Sequence, residues 1–139
     1  MQRRRLLAAL GGAATAGLAG CLGMATGGGD GDHDVGMTDS AFTPERYTVP
    51  AGDTVVWKNP SGRAHPVTAY GGGLPEGAAF FASGGFESTR AAREGWGAGD
   101  GHVFTGGTFE HTFETPGEHP YFCIPHERAG MRGTVVVEG

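Results

Sequence analysis

Several short segments in the second half of the chain alternate between apolar and polar residues, as strands with one buried face do. Thr108–Phe113 alternates in this way, and Thr134–Val137 forms a final apolar run. The turn-forming sequence Thr115-Pro116-Gly117 separates the first of these segments from Glu118–Cys123. The pattern predicts that Thr108–Phe113 and Glu118–Cys123 pair as antiparallel neighbours and that Thr134–Val137 is the last strand.

The first half of the domain has a less regular pattern. β-Branched and aromatic residues between 41 and 57 are interrupted by prolines and by Ala51-Gly52-Asp53, which predicts two strands around a turn. Val67–Tyr70 predicts another short strand. The segment 71–107 is rich in turn residues and has one weak helical pattern at Glu87–Glu94. We therefore expect a long surface excursion that contains a short helix.

The composition agrees with one small β-rich domain. The 139 residues include 28 Gly and 8 Pro, which favour turns and short strands over long helices. Trp57, Phe104 and Phe122 are expected in the core of a sandwich or barrel. Acidic side chains outnumber basic ones by 15 to 10, and no basic cluster lies outside the extreme N-terminus. This balance argues against nucleic-acid binding.

Residues 1–20 have the features of an export signal. Three arginines at positions 3–5 precede an apolar, glycine-rich stretch, Leu6–Leu22, that is short for a membrane-spanning helix. The arginines resemble a twin-arginine signal, and Leu18-Ala19-Gly20-Cys21 resembles a lipobox, whose cysteine becomes the lipidated first residue. There are two alternatives. The segment could be an uncleaved anchor, or Cys21 could be a small residue of an ordinary cleavable signal.

These features divide the chain into three parts. Residues 1–20 are the signal segment, 21–34 are the lipidated cysteine with a flexible Gly/Asp-rich linker, and 35–139 form the folded domain. Because Cys21 is either lipidated or removed, Cys123 has no disulfide partner. A lone thiol in an exported protein needs protection, and metal ligation is one way to provide it.

The sequence YFCIPHERAGMRG, Tyr121–Gly133, holds a thiol, an imidazole and a thioether at Cys123, His126 and Met131. They lie where one predicted strand ends and the last begins, and Pro125 turns the chain between them. These polarisable or borderline donors suit copper. Electron-transfer proteins often hold copper in a trigonal site of two histidines and one cysteine, with a methionine as a weak axial ligand. Such a site needs a second histidine from elsewhere in the chain.

His65 is the candidate for that second histidine, since it lies in a turn that leads into a strand. Three other histidines compete on composition alone. His111 and His119 lie within predicted strands, where we expect them to face solvent. His102 follows Gly99-Asp100-Gly101 in the long loop, where we expect it to be exposed.

Four segments together resemble the small plastocyanin-like blue-copper proteins, and most closely the halocyanins of salt-loving archaea. They are V-P-A-G-D-T-V-V-W-K-N, A-H-P-V, F-F-A-S-G-G-F and Y-F-C-I-P-H-E-R-A-G-M-R-G-T-V-V-V. The resemblance covers 35–139 and implies an all-β cupredoxin fold, a Greek-key β-sandwich with a short helix in a long loop. It also implies one type 1 copper with His65, Cys123 and His126 as equatorial ligands and Met131 as a weak axial ligand.

The resemblance further implies an electron carrier and not an enzyme. Such a carrier would be monomeric, cycle between Cu(II) and Cu(I), and be anchored by lipid to the outer face of an archaeal, haloarchaeal cytoplasmic membrane. It would pass electrons between partner proteins of a respiratory chain through His126, beside Ala129 and Gly130, where Glu127 and Arg128 add charges. A copper-binding or copper-delivery lipoprotein without electron shuttling is the alternative.

One residue near the expected site departs from the family pattern. The residue after the first histidine is usually asparagine, which ties the two ligand loops together, and here it is Pro66. Proline has neither that side chain nor an amide to donate toward the thiolate sulfur. Donors to the sulfur stabilise the reduced state.

We therefore expect a lower reduction potential than in a matched site with asparagine. Pro66→Asn should raise the potential, measured by voltammetry of the copper-loaded protein. A potential that stays the same or falls in this variant would contradict the assignment of a role to the missing donor.

Overall fold

The computed structural model describes residues 33–139, so the predicted signal segment, Cys21 and most of the predicted linker lie outside the described residues. The strands are β1 Val35–Met37, β2 Phe42–Thr43, β3 Arg46–Pro50, β4 Asp53–Lys58, β5 Thr68–Ala69, β6 Thr108–Phe113, β7 Gly117–Phe122 and β8 Arg132–Glu138. The described helix α1 spans Thr89–Gly97, and two 3-10 helices span Gly71–Gly73 and Ile124–Ala129. No helix within 33–139 has the length and apolarity needed to cross a membrane.

The strands form two four-stranded sheets with the orders β2-β1-β4-β6 and β3-β8-β7-β5. β1 pairs with β4 and β3 with β8 in parallel, and the other pairs are antiparallel. From β3 to β7 each strand lies in the opposite sheet from the strand before it, so the chain crosses repeatedly between the sheets in the Greek-key manner. The predicted all-β sandwich with a short helix in a long loop is confirmed.

Aromatic side chains from both sheets fill the centre of the core. Trp57 of β4 is fully buried, and its ring centre lies 5.3 Å from that of Tyr121 in the opposite sheet and 5.6 Å from that of Phe109. The predicted core position of Trp57 is confirmed, and Phe122 is fully buried as predicted, although it packs against Tyr70 outside the central cluster. Burial of large aromatic rings is the main source of stability in a domain of this size.

The prediction that Phe104 belongs to the core is wrong, because 65% of its surface is exposed. Its neighbour Val103 is buried, and consecutive residues of an extended chain point in opposite directions. The burial of Val103 therefore sends Phe104 outward.

The predicted pairing of Thr108–Phe113 with Glu118–Cys123 is also wrong. β6 pairs with β4, whereas β7 pairs with β8 and β5. The connection through Gly117, whose φ is 128°, carries the chain from one sheet to the other. A hairpin and a crossing between sheets use the same turn residues, so the local signal could not distinguish them.

The prediction that His111 and His119 face solvent is wrong. His119 is 2% exposed, and its Nε2 lies 2.8 Å from the carbonyl oxygen of Thr115, to which it donates. His111 is half-buried, with its ring stacked on Phe81 at 4.8 Å, and this burial together with nearby His119 lowers its pKa. His111 shares the inward face of β6 with Phe113, so strand periodicity could have placed it correctly.

The helix in the long loop is displaced from the predicted Glu87–Glu94 to Thr89–Gly97. Ser88 caps it by accepting a hydrogen bond from the Ala91 amide at 3.0 Å. The Thr89 hydroxyl donates to the Ala69 carbonyl and accepts from the Gly71 amide, both at 2.8 Å, which attaches the start of the helix to the end of β5. His102 was predicted to be exposed, but it is half-buried and stacks on Trp96 at 3.8 Å.

Candidate metal centre

The loop between β7 and β8 carries three of the four predicted ligands. Cys123 follows the last residue of β7, and its amide donates to the Met131 carbonyl at 3.0 Å. Between them runs the 3-10 helix Ile124–Ala129, which begins around the exposed Pro125. Gly130, with φ at 89°, reverses the chain, and the Met131 amide then donates to the His126 carbonyl at 3.2 Å. The loop is thus closed by its own backbone.

His65 reaches the same place from a distant part of the chain. Its amide donates to the Val103 carbonyl at 3.2 Å, and the Val103 amide donates to its carbonyl at 3.0 Å. Asn59, which is fully buried, donates through its side chain to the carbonyls of Arg63 and Val103 at 2.6 and 2.8 Å. These bonds fix the turn before His65 against the long loop.

The side chains of His65, Cys123 and His126 converge. Both imidazoles present Nδ1 to the sulfur, with His65 Nδ1 3.4 Å and His126 Nδ1 3.3 Å from Cys123 Sγ. The candidate ligand atoms of the three residues all lie within 4.8 Å of one another. Met131 at the end of the same loop is fully buried, as are His65 and Cys123.

The outer nitrogens of the two imidazoles have different surroundings. His65 Nε2 lies 3.2 Å from Ser61 Oγ, a hydroxyl that can accept a hydrogen bond from Nε2–H and so leave Nδ1 free to bind a metal. His126 is half-buried, and its Nε2 lies 3.4 Å from Nη1 of Arg63 at the surface. The two histidines therefore differ in access, with His65 enclosed and His126 at the rim.

The donor set fits copper. One thiolate, two imidazoles and one thioether are the ligands that a trigonal copper site with a weak axial methionine uses. Burial raises the pKa of the Cys123 thiol to about 12, against a weaker lowering by the His126 amide. Burial and the neighbouring His126 lower the pKa of His65, which favours the neutral form that a metal requires.

Residues 30–138 match the family described as copper binding proteins, plastocyanin/azurin family. The chain belongs to this family. Its members are blue-copper electron carriers with the cupredoxin fold, and its cofactor is one type 1 copper. The convergence of His65, Cys123 and His126, with buried Met131 on the same loop, agrees with that cofactor.

Individual relatives agree with this assignment. The chain is 33% identical over 97 residues to a plastocyanin of Scenedesmus fuscus, covering 70% of this chain and 86% of the relative. It is 36% identical over 104 residues to a halocyanin of Natronomonas pharaonis, covering 74% of this chain and 52% of the relative. The chain thus spans about half the length of the halocyanin and of several chloroplastic plastocyanins.

Among solved structures, amicyanin from Paracoccus versutus superimposes with a TM-score of 0.51 at 28% identity, covering 75% of this chain and 78% of that protein. An oxidized form of a single-residue mutant of amicyanin gives a TM-score of 0.54 at 27% identity, covering 75% of this chain and 79% of that protein. Both support the sandwich fold.

The sequence suggested that Glu127 adds a charge to the surface beside the copper site, but its carboxylate is paired within the protein. Its carboxylate accepts two hydrogen bonds from Arg93 at 2.9 and 3.2 Å and one from the Tyr70 hydroxyl at 2.6 Å. The Arg93 guanidinium lies 4.5 Å from the centre of the Phe122 ring, and Tyr70 stacks on the same ring at 4.2 Å. We call Tyr70, Arg93, Phe122 and Glu127 the Glu127 cluster.

The Glu127 cluster supports the ligand loop at its start and at its middle. Phe122 immediately precedes Cys123, and Glu127 immediately follows His126. Arg93, and then Tyr70, hold the pKa of Glu127 below its usual range, while burial and the bond to Glu127 raise the pKa of Tyr70 to about 12. The cluster therefore joins α1 and β5 to the loop through a charged carboxylate.

Sequence reasoning missed the residues that join the loops. Pro66 is buried, and the chain beside it is held by Ser83, whose Oγ accepts from the Val67 amide at 3.0 Å and donates to the Gly101 carbonyl at 2.7 Å. Asn59 performs a similar task on the other side of His65. Asn59 and Ser83 both lie in segments that carry the family resemblance, but no local pattern gave either of them a role.

The burial of the Cys123 thiol predicts that the apparent affinity for Cu(II) rises with pH. Since the pKa of Cys123 is about 12, the thiol is protonated from pH 6.5 to 9 and must lose one proton when it binds Cu(II). Raising the pH removes the competing proton, so the apparent affinity should rise about tenfold per pH unit. Competition titrations against a chelator should show this slope, and a constant affinity above pH 7 would contradict it.

The Glu127 cluster makes a second prediction. Glu127→Gln keeps the side-chain size but removes the charge that Arg93 and Tyr70 bind, so the free energy of unfolding should fall by about 1–2 kcal/mol. Copper should also leave the variant several-fold faster when a chelator is added.

Glu94→Gln is the matched control, because Glu94 pairs with Arg90 on the exposed surface of α1 and should contribute under about 0.5 kcal/mol. Urea unfolding of both variants makes the comparison. Equal losses in the two variants would refute a special role for the cluster.

Proposed function

We propose that the protein is a lipid-anchored electron carrier of a respiratory chain on the outer face of the cytoplasmic membrane. The observation that carries the copper part of this proposal is the approach of both histidine Nδ1 atoms to the buried sulfur of Cys123, at 3.4 and 3.3 Å. When bound, the copper supplies a couple between Cu(II) and Cu(I) that gains or loses a single electron.

The chain would serve this couple by holding its ligands still. Cys123 and Met131 are fixed by backbone bonds between β7 and β8, and His65 is fixed by its paired bonds to Val103. A ligand set that keeps its positions in both oxidation states lowers the rearrangement that accompanies each transfer. Full burial of Cys123 and His65 excludes water from the sulfur and from one side of the site.

His126 is the proposed route of the electron. It is the candidate ligand whose outer edge lies near the surface, next to Ala129 and Gly130, which are both exposed. A partner that docks on this edge comes closer to the ligands than a partner docking elsewhere on the sandwich.

Membrane attachment rests on the sequence before the folded domain. The twin-arginine pattern at positions 3–5 and the lipobox that ends at Cys21 both indicate export with a lipid on that cysteine. The similarity to a halocyanin of Natronomonas pharaonis favours an archaeal, haloarchaeal setting. A redox partner in the same membrane and a monomeric carrier complete the proposal.

Copper(II) reconstitution followed by visible absorption and voltammetry tests the proposed function. We expect an intense blue thiolate-to-copper band that is lost in Cys123→Ser and in His65→Ala, and a reversible couple with copper retained in both states. His102→Ala is the control, because His102 stacks on Trp96 away from the ligand atoms and should leave the band unchanged. Absence of the band in the intact protein would refute the copper site.

The same experiments separate the carrier from a copper-delivery lipoprotein. Delivery predicts that one oxidation state releases its copper readily to a chelator, so a couple that fades as copper is lost would favour that alternative. For the anchor, Cys21→Ser should move the protein from the membrane fraction to the soluble fraction of the expressing cells. A variant that stays with the membrane would refute lipid attachment at Cys21.

A further inference from the structure

The exposed edge of the copper site brings two hydrogen-bond donors together. His126 directs Nδ1 at the sulfur, so in the form that can bind a metal the ring proton lies on Nε2. Nη1 of Arg63 lies 3.4 Å from Nε2, and a guanidinium can only donate. Two donors cannot bond to each other, so each finds its acceptor in solvent or in a bound partner.

A second cationic side chain lies on the loop that carries His126. Arg128 is exposed two residues after His126, and in the part of the chain that the structure describes neither it nor Arg63 has an ion-pair partner. Glu127, the acidic residue between His126 and Arg128, is bound to Arg93. The loop therefore presents positive charge even though it contains a glutamate.

This positive edge contrasts with the rest of the protein. The whole chain has 15 acidic and 10 basic residues. Asp53 pairs in register with Phe113, and Gly117 with Val137, so the acidic side chains at 53, 114 and 138 lie at the end of the sandwich opposite the site. The Asp39 carboxylate lies on the near side, in a shallow pocket with Pro60 and Ser61.

An apolar side chain accompanies the two arginines. Phe104 is 65% exposed, and the hydroxyl of the next residue, Thr105, donates to the Ser61 carbonyl at 2.7 Å. Ser61 in turn contacts His65 through its hydroxyl. Phe104 thus lies on a segment attached to the turn that carries Arg63, where it can supply the desolvated contact that interfaces place beside charged groups.

We propose that Arg63 and Arg128 form a docking surface for a redox protein that presents carboxylates around its electron-exchange site. A partner carboxylate would accept from both His126 Nε2 and Arg63, which shortens the distance to the copper ligands and satisfies the two donors together. The acidic remainder of the chain would repel the same partner elsewhere, so attraction at one end and repulsion at the other orient the encounter. This inference rests on the proposed electron-carrier function.

Binding of a redox-inert trivalent anion tests the surface without any electron transfer. Hexacyanocobaltate(III) titrated into the isotopically labelled, Cu(I)-loaded protein should shift the amide signals of residues 63 and 126–130. Arg63→Gln and Arg128→Gln should each weaken that binding several-fold, whereas Arg90→Gln on the exposed face of α1 should not. Shifts confined to other regions, or equal effects of all three variants, would overturn the proposal.

The rate of electron transfer to hexacyanoferrate(III) provides an independent test, because the proposal predicts the direction in which this rate changes with ionic strength. Each encounter oxidises one Cu(I) to Cu(II) and reduces one hexacyanoferrate(III) to hexacyanoferrate(II). If the positive edge governs the encounter, the rate should fall about tenfold between 10 and 300 mM ionic strength, because salt screens the attraction. If the net charge of the protein governs it, the rate should rise with salt, and that result would overturn the proposal.

Arg128→Gln should flatten this salt dependence, and Asp39→Asn should steepen it. Arg128→Gln keeps the test usable even if Arg63→Gln disturbs His126. The blue band and the couple report on the proposed carrier function, whereas the salt dependence reports on the docking surface. An intact band with a rising salt dependence would therefore refute only the docking surface.

The class of partner has its own test. Poly-L-glutamate added to the Cu(I)-loaded protein should shift the same amide signals that hexacyanocobaltate(III) shifts, and Arg63→Gln should weaken that effect. Phosphatidylglycerol vesicles should leave those signals unchanged. If the vesicles shift these signals and poly-L-glutamate does not, the surface binds an anionic lipid membrane, and the proposal of a protein partner is wrong.

Discussion

The copper site depends on the pair of backbone hydrogen bonds between His65 and Val103. Cys123, His126 and Met131 belong to one short loop that closes on itself, but the fourth ligand must come from a segment 58 residues before the cysteine. The bonds at 3.2 and 3.0 Å hold His65 against the long loop, and Asn59 secures the turn before it. Without that attachment the sandwich would present an incomplete set of ligands.

The long loop has a structural role that its glycine-rich sequence conceals. Its Val103 bonds to His65, its Ser83 holds the chain just after that histidine, and its helix supplies Arg93 to the ligand loop. Three separate points of this loop thus support the two ligand-bearing segments. Geometry at the metal is therefore set by contacts that enclose the site from both sides.

The Glu127 cluster connects packing with electrostatics. By binding Arg93 and Tyr70, Glu127 stabilises the loop next to His126 and also withdraws its negative charge from the exposed edge. Arg63 and Arg128 then determine the local charge, although the protein as a whole is acidic. One ion pair decides both the stability of the loop and the sign of the surface beside it.

Much of the fold and most of the ligand set could be predicted from the sequence, because strands and ligand spacing are local properties. Cys123, His126 and Met131 lie within nine residues, so their chemistry and the strand boundaries around them identify the site. What the sequence could not show depends on contacts between distant segments. The sheet to which β7 belongs, the inward position of His119 and the partner of Glu127 are fixed only when the two sheets and the long loop pack together, since each contact competes with alternatives that look equally good along the chain.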